Sequence, residues 1–418
     1  MKEIAEQYGT PAFVYDLGVV QEAHMDLRRA LPSPTSLYYS LKANPHPEVV
    51  AFLHALGCRS EVSSIGEVTA AINAGVPADE ILLTGPGKSA EMLRDAIGQG
   101  VRRFSVESAD ELSRIDDVSG DAGITTDCLV RVNADISVPG AGLNMTGTAS
   151  QFGIDYSKIV SSPEAFSDLP NARVIGLHLY MGTNLSDTDS LLAQFAVGLD
   201  IASSLMPTMP HIREIDLGGG FGAPYGKEGT RPTFPGLATA LEDLLDDKLP
   251  GWREGHPEVT FESGRYLVGE CGTILSRVVD QKTSKGTVFT ILDTGVHHFG
   301  GMSGLRRIPN ISPQLTRVGT DVEVPFGHDT TVETTLVGPL CTPLDVLGRG
   351  SPLPRLRSGD LVMIPNAGAY GPTASLIGFL GHPAPVEVIL RDGRVHSASR
   401  LTIMRETRKP SPTRGHTN

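Results

Sequence analysis

Cysteine and tryptophan are scarce in this sequence: four cysteines (Cys58, Cys128, Cys271, Cys341) and one tryptophan in 418 residues. The cysteines are widely spaced and form no CxxC pair, which argues against a disulfide framework and a structural zinc site. Positive charge is also short. The chain has 35 basic and 48 acidic side chains, a net charge of −13, and no run of Lys or Arg. That sign is wrong for a nucleic-acid partner. No apolar run reaches the roughly 18–20 residues of a membrane span, and the opening MKEIAEQYGTPAF has no apolar core of a secretory signal. The expectation is a cytoplasmic protein without membrane or nucleic-acid contacts. Apolar residues, at 40%, are not lacking, and a chain of this length buries a substantial core with them, which excludes disorder over most of its length.

Between residues 36 and 265, short β-branched or apolar runs alternate with helix-like segments. The strand candidates are Ser36–Ser40, Arg59–Ser63, Glu80–Thr84, Arg103–Glu107, Asp127–Asn133, Arg173–Tyr180, Arg213–Leu217 and Glu258–Glu262. Amphipathic stretches such as Pro47–Leu56, Gly66–Ala74, Ser89–Gln99, Ala109–Asp117 and Asp187–Met206 repeat apolar residues at i, i+3 and i+4. Strands alternating with helices imply parallel pairing. Eight such units fit a closed (β/α)₈ barrel over 34–268, with a doubly wound open sheet as the alternative. The Gly-, Asn- and Ser-rich stretch Asp135–Phe152 breaks the rhythm and reads as an active-site or interface loop, or as a surface insertion. From about 269 to 405 the texture changes to VFTILDTGV, DVEVPFG, TVETTLVGPL, DLVMIPNA and PVEVILRDGRV, the pattern of an antiparallel β-domain. The polar stretch 406–418 reads as a disordered tail.

In a (β/α)₈ barrel the chemistry gathers at the C-terminal strand ends. Those ends carry Lys42 after strand one, His178 to Thr183 (with Tyr180) after strand six, Gly218, Gly219 and Gly220 after strand seven, and Glu262, Gly264 and Arg265 after strand eight. Lys42 has apolar, uncharged flanks, so a partly desolvated amine of lowered pKa is expected, as Schiff-base lysines need. A lone strand-end lysine is ordinarily just solvated; its coincidence with the other ends changes that reading. Three consecutive glycines let backbone N–H groups approach an anion such as phosphate, and Arg265 can pair with the same phosphate. A carboxylate such as Glu262 against a pyridine nitrogen would keep that nitrogen protonated and strengthen the ring as an electron sink. The glycine spacing is not GxGxxG, and Gly85-Pro86-Gly87-Lys88-Ser89 is not a Walker A loop because position 82 is Leu.

Together these elements resemble the fold type III pyridoxal-phosphate decarboxylases, the ornithine/diaminopimelate decarboxylase group. The likeness runs over residues 8–405 and includes Tyr39–Asn44, Glu61–Ser64, Arg131–Asn133, Gly338–Cys341 and Ala367–Gly371. It implies an alanine-racemase-like barrel in which Lys42 holds pyridoxal 5′-phosphate as a Schiff base. The glycine loop, Gly264, Arg265 and Tyr370 would then bind the phosphate and Glu262 the pyridine nitrogen. Glu61, Arg131, His178, Tyr180 and Thr183 would complete the cofactor site. It further implies a head-to-tail homodimer in which Cys341 serves the neighbouring subunit's site, with residues 1–33 packing on the β-domain. The sequence departs from the group in three places. Leu179-Tyr180 stands in its HxH turn, Ser263 follows Glu262, and Thr342 follows Cys341 where decarboxylases of basic amino acids carry an acid. The last change points away from free diamino acids, with Asp345 as a compensating acid and Arg306 and Arg307 as cations for a substrate carboxylate or phosphate. The run Ala369–Ser375 with Phe379–Pro383 is similar to a biosynthetic branch of the group, from butirosin and siderophore pathways, that acts on conjugated amino acids, carrier-protein-tethered ones included. Diaminopimelate decarboxylation is the alternative activity, and an amino-acid racemase or a non-catalytic pyridoxal-phosphate carrier the alternative class.

Overall fold

The structure, a computed structural model, describes residues 1–134, 143–144, 150–300, 313–318, 331–354 and 356–407. Eight strands form the first body: Ser36–Ser40, Arg59–Val62, Ile81–Leu83, Arg103–Val106, Thr126–Asn133, Ala172–Leu179, Glu214–Asp216 and Glu258–Ser263. Each pairs in parallel with the next, and strand eight pairs with strand one through Thr260↔Ser36 and Phe261↔Leu37. The pairing of strand four with strand five, Arg103↔Asp127 onward, leaves no gap in the ring. The sheet is therefore a closed barrel and the open doubly wound alternative is excluded. Alternation along strand one shows how it is filled. Tyr38 faces a small inner cluster with Leu82, Leu129 and Ile175, while Leu37 and Tyr39 join the large core shared with the surrounding helices.

Local sequence sets the helix starts. Ser64 accepts from Glu67 N at 3.2 Å and Ser108 from Glu111 N at 3.1 Å, while each glutamate reaches back to an amide just before its cap. Ser89 and Asp187 cap their helices in the same way. The ring of helices includes Leu17–Ala30, which precedes strand one and packs between the helices that follow strands one and seven. No sequence pattern was assigned to it above.

The second body centres on Gly272–Ser284, a strand of 13 residues. It pairs antiparallel with Ala12–Asp16, Thr287–Leu292 and Leu361–Ile364. Ala12–Asp16 lies parallel to Val386–Arg391 on its other edge, and helix Lys2–Tyr8 buries Ile4 and Ala5 against Leu275 and Val388. PVEVILRDGRV is a hairpin, Val386–Arg391 with Arg394–Arg400, turning at Asp392 and Gly393 with φ of 52° and 71°. Gly272–Ser284 and Val346–Pro354 are strands that the sequence reading did not assign. The pairing of Thr287–Leu292 with Thr331–Val337 is parallel within an otherwise largely antiparallel domain. DVEVPFG, Arg306, Arg307, most of Asp135–Phe152 and residues 408–418 lie outside the described residues. Among the described residues no helix is long and apolar enough to cross a membrane.

Candidate active site

Lys42 sits in a single turn directly after strand one, with Nζ 3.0 Å from Glu61 Oε2 at the end of strand two. Glu61 is fully buried and also accepts from Thr84 Oγ1 at the end of strand three. The expectation of a lowered lysine pKa is corrected here. Burial pushes the ammonium down, but Glu61 first and then Glu262 more than offset it, and the lysine is raised. By surface the side chain is 45% exposed, because it opens into the cavity rather than onto bulk solvent.

The barrel floor beneath it is polar and sparingly bonded. Glu262 on strand eight, His178 on strand six and Asp216 on strand seven bring one polar atom each within 4.8 Å of the others. Glu262 Oε1, His178 Nε2 and Asp216 Oδ2 are all buried without a hydrogen-bond partner among the described residues. His178 Nδ1 is taken by Ser105 Oγ at 2.7 Å, and burial followed by the nearby Arg131 holds the ring neutral. Burial, with Glu61 adding to it, pushes the Glu262 carboxyl up to about 8. Arg131 reaches the same cavity from strand five, paired with Glu107 at 2.9 Å and lying over the rings of Phe152 and Tyr180.

Glycine is required on the opposite wall. A Cβ on Gly218, whose φ is +67°, would stand 2.7 Å from both Leu179 O and Tyr180 Cδ2, and one on Gly219 would collide with Glu262 O. Gln194 Nε2 pins this loop by donating to Gly219 O at 2.7 Å. Gly264 fits tightly over Ser40 and Ala43. Arg265 follows it, 5.0 Å from the Tyr370 ring, and makes no ion pair among the described residues. Tyr370 adopts φ +52°, a left-handed conformation that bulky residues seldom take, and its N–H donates to Ala43 O at 2.7 Å. An aromatic side chain is thereby held over the glycine cradle.

A cavity of about 470 Å³ joins these groups. Lys42, Glu61, Arg131, His178, Tyr180, Thr183, Glu262, Arg265 and Tyr370 line it, and Gly219, Gly220 and Gly264 line the adjoining recess. Sequence reasoning missed Thr84 and Met92 on its wall, while Phe152, which also lines it, closes the stretch Asp135–Phe152 read as an active-site or interface loop. It singled out the Gly85–Ser89 stretch only to reject a nucleotide role, yet Gly85 to Lys88 form part of that wall. Cys341 is exposed and does not line its own chain's cavity, and neither do Thr342 and Asp345. Asp345 faces inward, accepting from Val296 N at 2.9 Å and Leu340 N at 2.8 Å. It thereby organises the loop.

A phosphorylated pyridine aldehyde fits this donor set. The buried Glu262 oxygen, without a hydrogen-bond partner among the described residues, suits a ring N–H; the recess lined by Gly219, Gly220 and Gly264 suits a phosphate; Arg265, in no ion pair among the described residues, supplies a cation; and Lys42 supplies the amine.

Comparison with known proteins agrees. Residues 17–269 match the family described as pyridoxal-dependent decarboxylase, pyridoxal binding domain. The chain is 32% identical to an L-glutamyl-[BtrI acyl-carrier protein] decarboxylase from Niallia circulans, over 93% of this chain and 91% of that one. It is 28% identical to the diaminopimelate decarboxylase of Aquifex aeolicus, over 94% and 90%. It is 30% identical to a 2-[(L-alanin-3-ylcarbamoyl)methyl]-2-hydroxybutanedioate decarboxylase of Staphylococcus aureus, over 92% and 95%. A crystal structure of diaminopimelate decarboxylase from Helicobacter pylori complexed with L-lysine superposes with a TM-score of 0.79 at 26% identity, covering 94% of this chain and 95% of that one. The chain belongs to the pyridoxal-dependent decarboxylase family. It is a pyridoxal-phosphate-dependent carboxy-lyase, and the racemase and cofactor-carrier alternatives fall away.

Proposed function

We propose that this decarboxylase removes the α-carboxylate of an acidic or conjugated amino acid, such as a carrier-protein-tethered aminoacyl group or a citryl-type siderophore precursor. Bound pyridoxal phosphate supplies the electron sink that carbon dioxide loss requires. The chain's own residues do the rest. Glu262 would hold the ring nitrogen's proton in place, the glycine recess with Arg265 and Tyr370 would hold the phosphate, and Lys42 would provide the covalent tether.

One observation carries the substrate reading. The residue after Cys341 is Thr342, whose hydroxyl accepts from Leu344 N at 3.3 Å, and the nearest acid, Asp345, is committed to backbone amides. A distal ammonium placed there would lack its counter-charge, which costs several kcal/mol for a buried ion. The Niallia and Staphylococcus relatives, whose names describe conjugated amino acids, support the same reading. Diaminopimelate is the second reading, supported by the Aquifex relative and the Helicobacter structure. Its distal end carries a carboxylate as well as an ammonium.

Two surroundings are part of the proposal. Cys341 is exposed, in a loop with the 80% exposed Leu344 that does not line its own chain's cavity, so the loop suits the site of a second copy in a homodimer. Three buried free cysteines suit a reducing cytoplasm. A steady-state panel of carrier-bound glutamate, diaminopimelate, lysine, ornithine, arginine and free glutamate tests the substrate class. Efficient turnover of free lysine or ornithine would sink it.

A further inference from the structure

Among the described residues, four cations of the barrel's interior pair with acids, and a fifth, Arg265, stands at the glycine recess where the phosphate would lie. Lys42 pairs with Glu61 at 3.0 Å, Lys88 with Glu111 at 2.7 Å and Arg131 with Glu107 at 2.9 Å, while Arg103 pairs with Glu214. Two carboxyl groups are left over, Glu262 and Asp216. Both are at least 97% buried, and they lie on neighbouring strands. His178, the third member of their cluster, is a neutral ring tied to Ser105. The ring nitrogen of the cofactor brings one positive charge to this floor, enough to balance one carboxylate. A second buried, unbalanced carboxylate a few ångströms away would be strongly disfavoured, and such groups take up a proton instead.

We infer that Asp216 is held as the neutral acid in this enzyme and acts as a positioning residue, leaving Glu262 as the sole anion that faces the cofactor's ring nitrogen. The inference rests on the cofactor reading given above and adds a residue to it. The backbone fixes which oxygen bears the proton. Gly218 N donates to Asp216 Oδ1 at 2.8 Å, so Oδ1 is the acceptor. Oδ2, without a hydrogen-bond partner among the described residues, is then the oxygen that carries the hydrogen, in the cluster where Glu262 Oε1 and His178 Nε2 lie 3.4 Å from each other. The charges around Asp216 agree in sign: burial comes first, then Glu262, with Glu214 and Glu61 behind, all favouring the neutral form against the single amide of Gly218. Gly218 leads directly into Gly219 and Gly220, which line the phosphate recess, so one neutral side chain joins the two ends of the proposed cofactor site: its accepting oxygen anchors the loop and its proton sets the charge at the ring.

The test is infrared difference spectroscopy at neutral pH on wild type and Asp216→Asn, with and without pyridoxal phosphate. Wild type minus variant should show a protonated-carboxyl band that shifts in D₂O, present in the apoprotein and retained in the holoenzyme. A difference containing only carboxylate bands would overturn the inference. Should the variant fail to fold, wild type grown with carboxyl-¹³C aspartate gives the same reading, because the protonated band must then move with the isotope. Cofactor affinity supplies the second arm. Asp216→Ala should weaken pyridoxal-phosphate binding at least tenfold and shift the pH profile of the bound cofactor's absorbance, and Asp216→Asn, a neutral isostere, should restore both to within about threefold. Equal losses in Asn and Ala would also overturn it, since an isostere cannot replace an anion. A protein that takes up no pyridoxal phosphate at all would refute the cofactor reading alone, because the apoprotein band reports on Asp216 independently.

Discussion

Lys42 Nζ stands 3.0 Å from Glu61 Oε2, the lysine just past the end of one barrel strand and the glutamate near the end of the next. The pair sets the lysine's resting state. Only a neutral amine attacks a carbonyl, so a lysine held upward by Glu61 takes up cofactor slowly at neutral pH. Lys42→Ala should yield protein without the yellow cofactor band. Glu61→Gln removes the principal upward pull, and the pH at which cofactor uptake becomes fast, followed by stopped-flow absorbance, should fall by at least about one unit. An unchanged profile would show that Glu61 does not control the amine.

Glu262 gives the cofactor-free protein a pH-dependent stability whose sign can be worked out. Its folded pKa, about 8, lies above its ordinary value of 4.5, so the folded state binds more protons than the unfolded one between those limits. Stability therefore falls as pH rises through that window. Glu387, buried beside Tyr15 and pushed up to about 7, contributes in the same direction over the lower part of it. The melting temperature of cofactor-free wild type should fall between pH 5 and pH 8. In Glu262→Gln the decline should become shallower across the window, by close to one proton's linkage around pH 6–7 and by less toward pH 8, with Glu387 and Asp216 retaining part of it. A slope indifferent to the substitution would contradict the assignment.

The proposed sharing of the active site between subunits has a complementation signature. Lys42→Ala and Cys341→Ala should each be impaired, the first in cofactor retention and the second in catalysis with the cofactor bound. Random mixing of the two gives heterodimers in which one of two sites is intact if Cys341 serves the partner's site. About a quarter of wild-type activity should then return. No recovery, with exchange confirmed by differently tagged subunits, would place Cys341 elsewhere.

Asp345 should behave as a structural group. Its replacement by alanine leaves the buried Leu340 amide and the half-buried Val296 amide without this acceptor, which costs roughly 1–3 kcal/mol. Urea denaturation should show that loss, while pyridoxal-phosphate affinity, set in the barrel, should change by less than about twofold. A stable variant with altered substrate preference would instead restore the substrate-contacting role first expected for this residue.

Much of the barrel was legible because it is written in local terms. Apolar runs and capped amphipathic helices mark each strand and turn, and the rule that strand ends converge turned Lys42, Gly218 and Glu262, hundreds of residues apart, into one site. Asp216 was not legible. In Glu214-Ile215-Asp216 the alternation of acid and aliphatic reads as a strand with one wet face, and only barrel closure places both acids in a buried interior. Gly272–Ser284 escaped for a related reason: beyond Val278 it leaves the core, and its Asp-Gln-Lys-Thr-Ser end has no apolar alternation to betray it. The lysine's pKa was misjudged because local flanks were considered without Glu61, a neighbour across the sheet.

The strand Ala12–Asp16 lies between Gly272–Ser284 and Val386–Arg391, so it pairs with a segment synthesised more than 370 residues after it. The barrel's own strands can close once residue 263 has left the ribosome, but this N-terminal strand then has at least one open edge of unpaired amides and carbonyls. At 5–20 residues per second the wait for Val386 is on the order of several seconds to half a minute. During that interval an exposed Phe-Val-Tyr edge is a template for pairing between nascent chains. Truncations that end before residue 386 should accordingly be lost to aggregation even though every barrel strand is complete, and the yield of soluble enzyme should depend on how fast the last thirty residues follow the rest.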